Sequence, residues 1–191
     1  ENDKALKKDS HNNINLIFQG NMSYYPNVQA AEFLINKLFP KLEKIRSNIK
    51  LYIVGSNPSK ELLKQKSDSV EITGYVESMK SYLDMADVAI YPIFSATGTQ
   101  SKVLQSMASR IPCIISNEVA LGIPGLVNNE NILIANNIEE YLRYFKLVLE
   151  DKEKINSIVE NGYNFIKEHY SWKKHVEVLE NVWTNKVVNK K

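Results

Sequence analysis

The stretch Ser95–Pro112, SATGTQSKVLQSMASRIP, gathers more groups able to do chemistry than any other part of the chain. Small polar residues run into a helical pattern whose apolar side is Val103, Leu104, Met107 and Ala108. That spacing puts Ser101, Lys102 and Gln105 on the opposite face. The first turn of such a helix leaves N–H groups near Gly98, Thr99, Gln100 and Ser101 without intrahelical acceptors, and the positive end of the helix dipole adds to them. The combination suits a phosphate or pyrophosphate. Lys102 adds a full charge, and the hydroxyls of Thr97, Thr99 and Ser101 can add hydrogen bonds. The pattern is neither a Walker loop nor GxGxxG, so an ordinary capped amphipathic helix with a solvated lysine is the competing reading.

Other reactive residue types form no constellation. His11, His169 and His175 are scattered, which argues against a catalytic triad or a metal site. Cys113 lies inside the apolar run IPCIIS and reads as a buried core thiol. Glu139, Glu140, Glu150, Asp151 and Glu153 read as helix-start charges and solvated faces. There is no Asp-x-Asp pair.

The elements that must position the 95–112 segment follow from the apolar pattern. Short runs rich in β-branched and aromatic residues occur at Ile14–Phe18, Ile49–Val54, Val70–Thr73, Val88–Tyr91, Ile111–Ile115 and Ile132–Ala135. Several lack in/out alternation, as strands covered on both faces do. Between them, Val28, Ala31, Leu34, Ile35, Leu38, Leu42 and Ile45 recur at helical period, with Asn27 placed to cap and Pro40 placed to kink. Ser78 precedes a short helical pattern carrying Met79, Tyr82, Leu83 and Ala86. Asn137 and Glu140 have the form of a capping box. Ile155 to Ile166 and Trp172 to Trp183 complete the series. Strand and helix in alternation predict an α/β, Rossmann-like, doubly wound parallel sheet of about six strands. The expected organisation is a polar lead-in over 1–13, one domain over 14–170, and a C-terminal helix and tail over 171–191.

In such a sheet ligands bind beyond the carboxyl ends of the strands. Gly20, Gly55, Gly74 and Gly98 each fall just after an apolar run, where glycine permits tight turns and close approach of backbone to a ligand. Four on one edge point to a cleft lined by main chain.

Composition narrows the function classes. The chain has 191 residues and 43% hydrophobic residues, and 24 Lys and Arg against 22 Asp and Glu give a net charge of only +2. That balance argues against a nucleic-acid partner. No apolar run reaches the ~18 residues that would span a bilayer. One cysteine allows no internal disulfide and favours a reducing compartment. A cytoplasmic location is expected, with peripheral attachment at the inner face of a membrane through Lys186, Lys190 and Lys191 as a weaker alternative. The opening Glu1 suggests a piece of a longer protein.

In family order, the stretches LIFQGNMSYYPNVQAAEFLINKLFPKL, IKLYIVGSNPS, VEITGYVESMKSYLDMADVAIYPI, GTQSKVLQSMASRIPCIIS and HYSW resemble the C-terminal half of group 1 glycosyltransferases, the retaining enzymes with the GT-B fold. The resemblance covers most of residues 14–173. It implies the donor-binding half of a two-domain enzyme, with a nucleotide-diphosphate sugar as donor and no cofactor or metal. A missing N-terminal domain would hold a glycan or lipid-linked acceptor.

Carried over by position, the resemblance implies that Gly20 and Asn21 lie near the donor phosphates and that Gly55 floors the nucleotide pocket. The main chain of Gly74, Tyr75 and Val76 would read the base. Thr97, Gly98, Thr99, Gln100 and Ser101 would hold the diphosphate and the sugar, with Lys102 assisting. Gln105 stands where the family glutamate grips the ribose hydroxyls, and Thr97 stands at the other family glutamate, toward the donor sugar. A glutamine bonds a diol without the charge-assisted strength of a carboxylate. Thr97 reaches a sugar only through a shifted loop or a water. GNMSYYPN also lacks the basic residue often found after the first strand, and subfamilies with G-x-Q-x-K-x-L, as in GTQSKVL, lack the first glutamate too. The two substitutions motivate a second hypothesis, a non-catalytic sugar-nucleotide-binding or scaffold module of the same fold. A third, a sugar-nucleotide epimerase half, needs acids and histidines that the 95–112 segment does not have.

Overall fold

The computed structural model describes residues 13–95 and 98–170. Six strands form one wholly parallel sheet: β1 (Ile14–Gln19), β2 (Ile49–Val54), β3 (Val70–Ile72), β4 (Val88–Tyr91), β5 (Cys113–Ser116) and β6 (Leu133–Ala135). Their order across the sheet is β3-β2-β1-β4-β5-β6. The chain steps outward from β1 to β3, then returns to lay β4 beside β1 with Leu16 opposite Val88. That reversal leaves a crevice at the carboxyl ends of the two central strands. Leu16, Ile17 and Phe18 of β1 and all four residues of β4 are fully buried, as the unbroken apolar runs require of central parallel strands.

The helices are α1 (Tyr25–Phe33), α2 (Phe39–Ile45), α3 (Lys60–Leu63), α4 (Met79–Met85), α5 (Ser101–Ala108), α6 (Asn117–Leu121), α7 (Ile138–Glu150) and α8 (Lys152–His169). Ser78 caps α4 by accepting from the Ser81 N–H. Asn137 caps α7 by accepting from the Glu140 N–H at 3.0 Å. The reciprocal bond of the expected capping box is shifted by one residue, because Glu140 Oε2 accepts from the Asn136 N–H at 2.7 Å. The Trp172–Trp183 pattern and both chain ends lie outside the described residues.

Three expectations are corrected. Asn27 does not cap α1. The helix begins three residues earlier, at Tyr25 behind Tyr24, with Pro26 in its first turn, and Asn27 is buried within it. The long helix is also divided. A π-helical turn at Leu34–Leu38 precedes α2, and the Phe39 N–H reaches back to the Leu34 carbonyl. The widened turn lets the chain pass into a helix whose first turn holds Pro40, which has no N–H to give. On α5, Ala108 is exposed, and Ser106 is fully buried with its hydroxyl 2.7 Å from Tyr91 Oη. A satisfied hydroxyl can enter a core where an unsatisfied one could not.

Candidate functional site

Beyond the carboxyl ends of β1, β2 and β3, and against the start of α5, lies a cleft of about 370 Å³. Its floor is peptide. The Gly20 N–H donates to the Val54 carbonyl at 2.9 Å and the Met22 N–H to the Ser56 carbonyl at 2.8 Å, which draws the loops after β1 and β2 together. Gly55 holds φ at 147° and bridges to Gly74, whose φ is 82°. A side chain on Gly20 would come within 2.8 Å of Asn27 Nδ2. Asn21 Oδ1 ties the two loops, accepting from the Ser23 N–H at 3.0 Å and from Asn57 Nδ2 at 3.1 Å.

One wall of the cleft is Tyr75, Val76 and Met79, with Tyr75 80% exposed at the rim. The opposite wall is the face of α5 that carries Ser101, Lys102 and Gln105. Gln19, at the end of β1, is buried between floor and wall. Its Nε2 donates to the Lys102 carbonyl at 2.9 Å and makes a longer contact, 3.4 Å, with Gln105 Oε1. The Lys102 ammonium donates to Asn27 Oδ1 and lies 5.5 Å from the centre of the Phe18 ring. Burial pulls its pKa down to about 8. A solvated lysine is therefore excluded.

The start of α5 carries its charge uncapped. Gln100, the residue before the helix, makes no side-chain cap. The N–H groups of Val103 and Leu104 turn back to the Gln100 carbonyl, whereas those of Ser101 and Lys102 meet no acceptor among the described residues. The preceding loop is braced from the other side. Thr99 Oγ1 donates to the Gly122 carbonyl at 3.2 Å, and a side chain on Gly122 would come within 2.5 Å of the Gly98 carbonyl oxygen. The proton of the Thr99 hydroxyl is thus committed to the turn after α6, contrary to the sequence expectation that it could serve a phosphate.

Most of the residues singled out in the sequence are brought together. Gly20, Asn21 and Gly55 lie at the floor, Tyr75 and Val76 on one wall, and Ser101, Lys102 and Gln105 on the other. Gly74, Gly98, Thr99 and Gln100 are not among the lining residues, and Thr97 lies outside the described residues. Sequence reasoning missed Gln19, Ser56 and Met79. The signal for Gln19 was present, since it is a polar residue closing the apolar run INLIFQ.

Residues 13–151 match the family described as Glycosyl transferases group 1. The chain belongs to that family. This group 1 chain is 26% identical over 190 residues to an uncharacterized glycosyltransferase of Methanocaldococcus jannaschii, covering 95% of the chain and 47% of the relative. It spans about half the length of the curated relatives it matches. Among solved structures, Anabaena Alr3699/HepE in complex with UDP and glucose superposes with a TM-score of 0.74 at 14% identity, covering 91% of this chain and 49% of that one. The C-terminal domain of the group 1 family protein LpcC from Francisella tularensis superposes with a TM-score of 0.64 at 16% identity, covering 84% of this chain and 87% of that one. The fold is that of the C-terminal domain of a GT-B glycosyltransferase. No helix among the described residues is long and apolar enough to cross a membrane.

Proposed function

We propose that the cleft binds the nucleoside diphosphate of a sugar donor, and that the chain is the donor-binding part of an enzyme transferring that sugar with retention to a glycan or lipid-linked acceptor. The observation that carries this reading is the uncapped start of α5 facing a peptide-floored cleft, with the amides of Ser101 and Lys102 unclaimed among the described residues. Such a site attracts a doubly charged diphosphate. Its volume is within the range of small-molecule sites. Gln105 would meet the ribose hydroxyls, the peptide at Gly74–Val76 the base, and Thr97 the side of the transferred sugar.

Catalysis on this reading is leaving-group stabilisation. Negative charge grows on the phosphate as the sugar–phosphate bond breaks, and amides held in place by β1, β4 and α5 oppose it without reorganising. The reading needs no metal or cofactor, since the counter-charge comes from the helix start and Lys102. The acceptor would be held by a second domain facing this cleft.

Titration calorimetry with UDP, GDP and ADP tests the proposal, and the likeness to a structure holding UDP makes UDP and UDP-glucose the first probes. Saturable binding of one nucleotide in preference to the others is expected. Absence of binding by all of them would overturn the donor site. The neutral amide of Gln105 favours the second reading, a binding module that retains nucleotide but transfers nothing. A transfer assay on the full-length protein, with and without Gln105→Glu, separates the two.

A further inference from the structure

Lys102 is a cation whose surroundings are built for something they do not themselves contain. Its ammonium lies 5.5 Å from the centre of the Phe18 ring and donates to a neutral carboxamide oxygen, Asn27 Oδ1. Among the described residues no carboxylate lines the cleft or pairs with it. A half-buried ammonium served by one neutral oxygen is poorly compensated, so an anion entering the cleft gains more from it than from a solvated lysine. Asn27 is held in turn, because its Nδ2 donates to the Asn21 carbonyl at 2.8 Å and Gly20 leaves it room.

We propose that Lys102 and Asn27 form a holder-and-charge pair, in which Asn27 positions the ammonium until a donor phosphate oxygen takes it over, and that donor binding draws a proton onto Lys102. This inference rests on the donor-site reading above. Asn27 touches no donor and is a positioning residue; Lys102 supplies the charge.

Burial already lowers the lysine's pKa to about 8, so near that pH about half of the molecules hold it neutral. A diphosphate beside it favours the charged form, and the missing proton comes from the buffer. Among the described residues, the other titratable groups facing Lys102 are two phenols. Tyr75 stands on the opposite wall. Tyr91, from β4, donates to the Lys102 carbonyl at 3.3 Å, and burial holds its pKa far above the ordinary phenol range. The residues contributed by β1, α1, α4 and the loop after β2 are uncharged. Near pH 8 the lysine is therefore the group that exchanges a proton on binding.

The experiment is calorimetry with UDP-glucose at pH 8 in two buffers of different ionisation enthalpy, repeated from about pH 7 to about pH 8.5, below the range in which the uracil N–H ionises. UDP-glucose is chosen because its phosphates are esterified and do not titrate in that range. The wild-type protein should take up about half a proton per ligand bound at pH 8 and lose affinity as the pH rises. Lys102→Met should abolish the uptake and weaken binding about ten-fold. Lys102→Arg should restore much of the affinity with no uptake, since arginine does not titrate there. Asn27→Asp should keep the ammonium protonated and paired, removing the uptake and weakening binding. Proton uptake that persists in Lys102→Met, or affinity indifferent to Lys102→Met and Lys102→Arg alike, would overturn this inference and leave the donor site standing. Failure of every nucleotide to bind the wild type would overturn both.

Discussion

A Cβ on Gly55 would lie 2.8 Å from the carbonyl carbon of Gly20 and closer still to its oxygen. Two loops that follow neighbouring strands therefore touch peptide to peptide, and position 55 can carry no side chain at the contact. Gly55→Ala should cost about 3 kcal/mol or more, through that collision and the φ it must hold. Gly74→Ala makes the matched control. It also has positive φ, but a Cβ there meets nothing within 4 Å. It should cost only about 1–2 kcal/mol of backbone strain. Urea unfolding of the two variants measures the difference, and equal losses would refute the close approach.

The amide of Ser101 can be removed without removing the helix. Ser101 is the first residue of α5, a position proline tolerates, and Gln100 before it has the extended backbone that proline demands of its neighbour. Ser101→Pro should fold normally by circular dichroism and weaken nucleotide binding about five-fold or more, whereas Ser101→Ala, which keeps the N–H, should change affinity less. Equal effects of the two variants would assign the contact to the hydroxyl.

Gln105 tests the ribose contact in the direction of gain. Gln19 Nε2 donates toward Gln105 Oε1 and can donate equally to a carboxylate in its place. Gln105→Glu should therefore be accommodated and tighten nucleotide binding about three- to ten-fold, because a charged acceptor bonds a diol more strongly. Unchanged or weaker affinity by calorimetry would place Gln105 outside the ribose contact.

Residues of one kind were legible in the sequence and residues of another were not. β2 and β4 begin and end where their apolar runs do, because burial fills them with apolar residues, Lys50 alone excepted. β5 starts at Cys113, two residues later than its run. The Ile111 N–H is spent on the Ser106 carbonyl, closing α5 around the left-handed Arg110, and Pro112 has no N–H for a ladder. The short helices α3 and α6 carry too few residues for a period to show, although Ser59 and Ser116 cap them. Three of the four glycines, Gly20, Gly55 and Gly74, marked the edge where the cleft lies, since backbone need is written directly in residue type. The setting of Lys102 was not legible. Helical spacing gives its face, but only the fold brings Phe18 and Asn27 beneath it from segments more than seventy residues away.

The buried lysine also gives the fold a pH signature. An unfolded lysine keeps its proton to about 10.5, whereas Lys102 in the folded chain releases it near 8. Between those values the unfolded chain binds more protons, so this residue makes stability rise with pH across that window and weakens the fold below it. Lys102→Met should flatten that slope and raise stability at pH 7 by on the order of 1–2 kcal/mol after allowance for solvent screening. Denaturation at pH 7 and pH 10 measures both quantities. A variant that binds its ligand worse but melts higher would separate a functional charge from a merely structural one.

The peptide floor formed by Gly20 and Gly55 sets what divergence can alter. Carbonyls are common to every residue type and amide N–H groups to every type but proline, so substitution there acts mainly by obstruction, and obstruction strains the fold. Preference for one ligand over another must then be retuned along the margins, at Tyr75, Met79 and Gln105, where exchange is cheap. Lineages sharing this architecture can therefore drift in what they recognise while keeping the same bed beneath it.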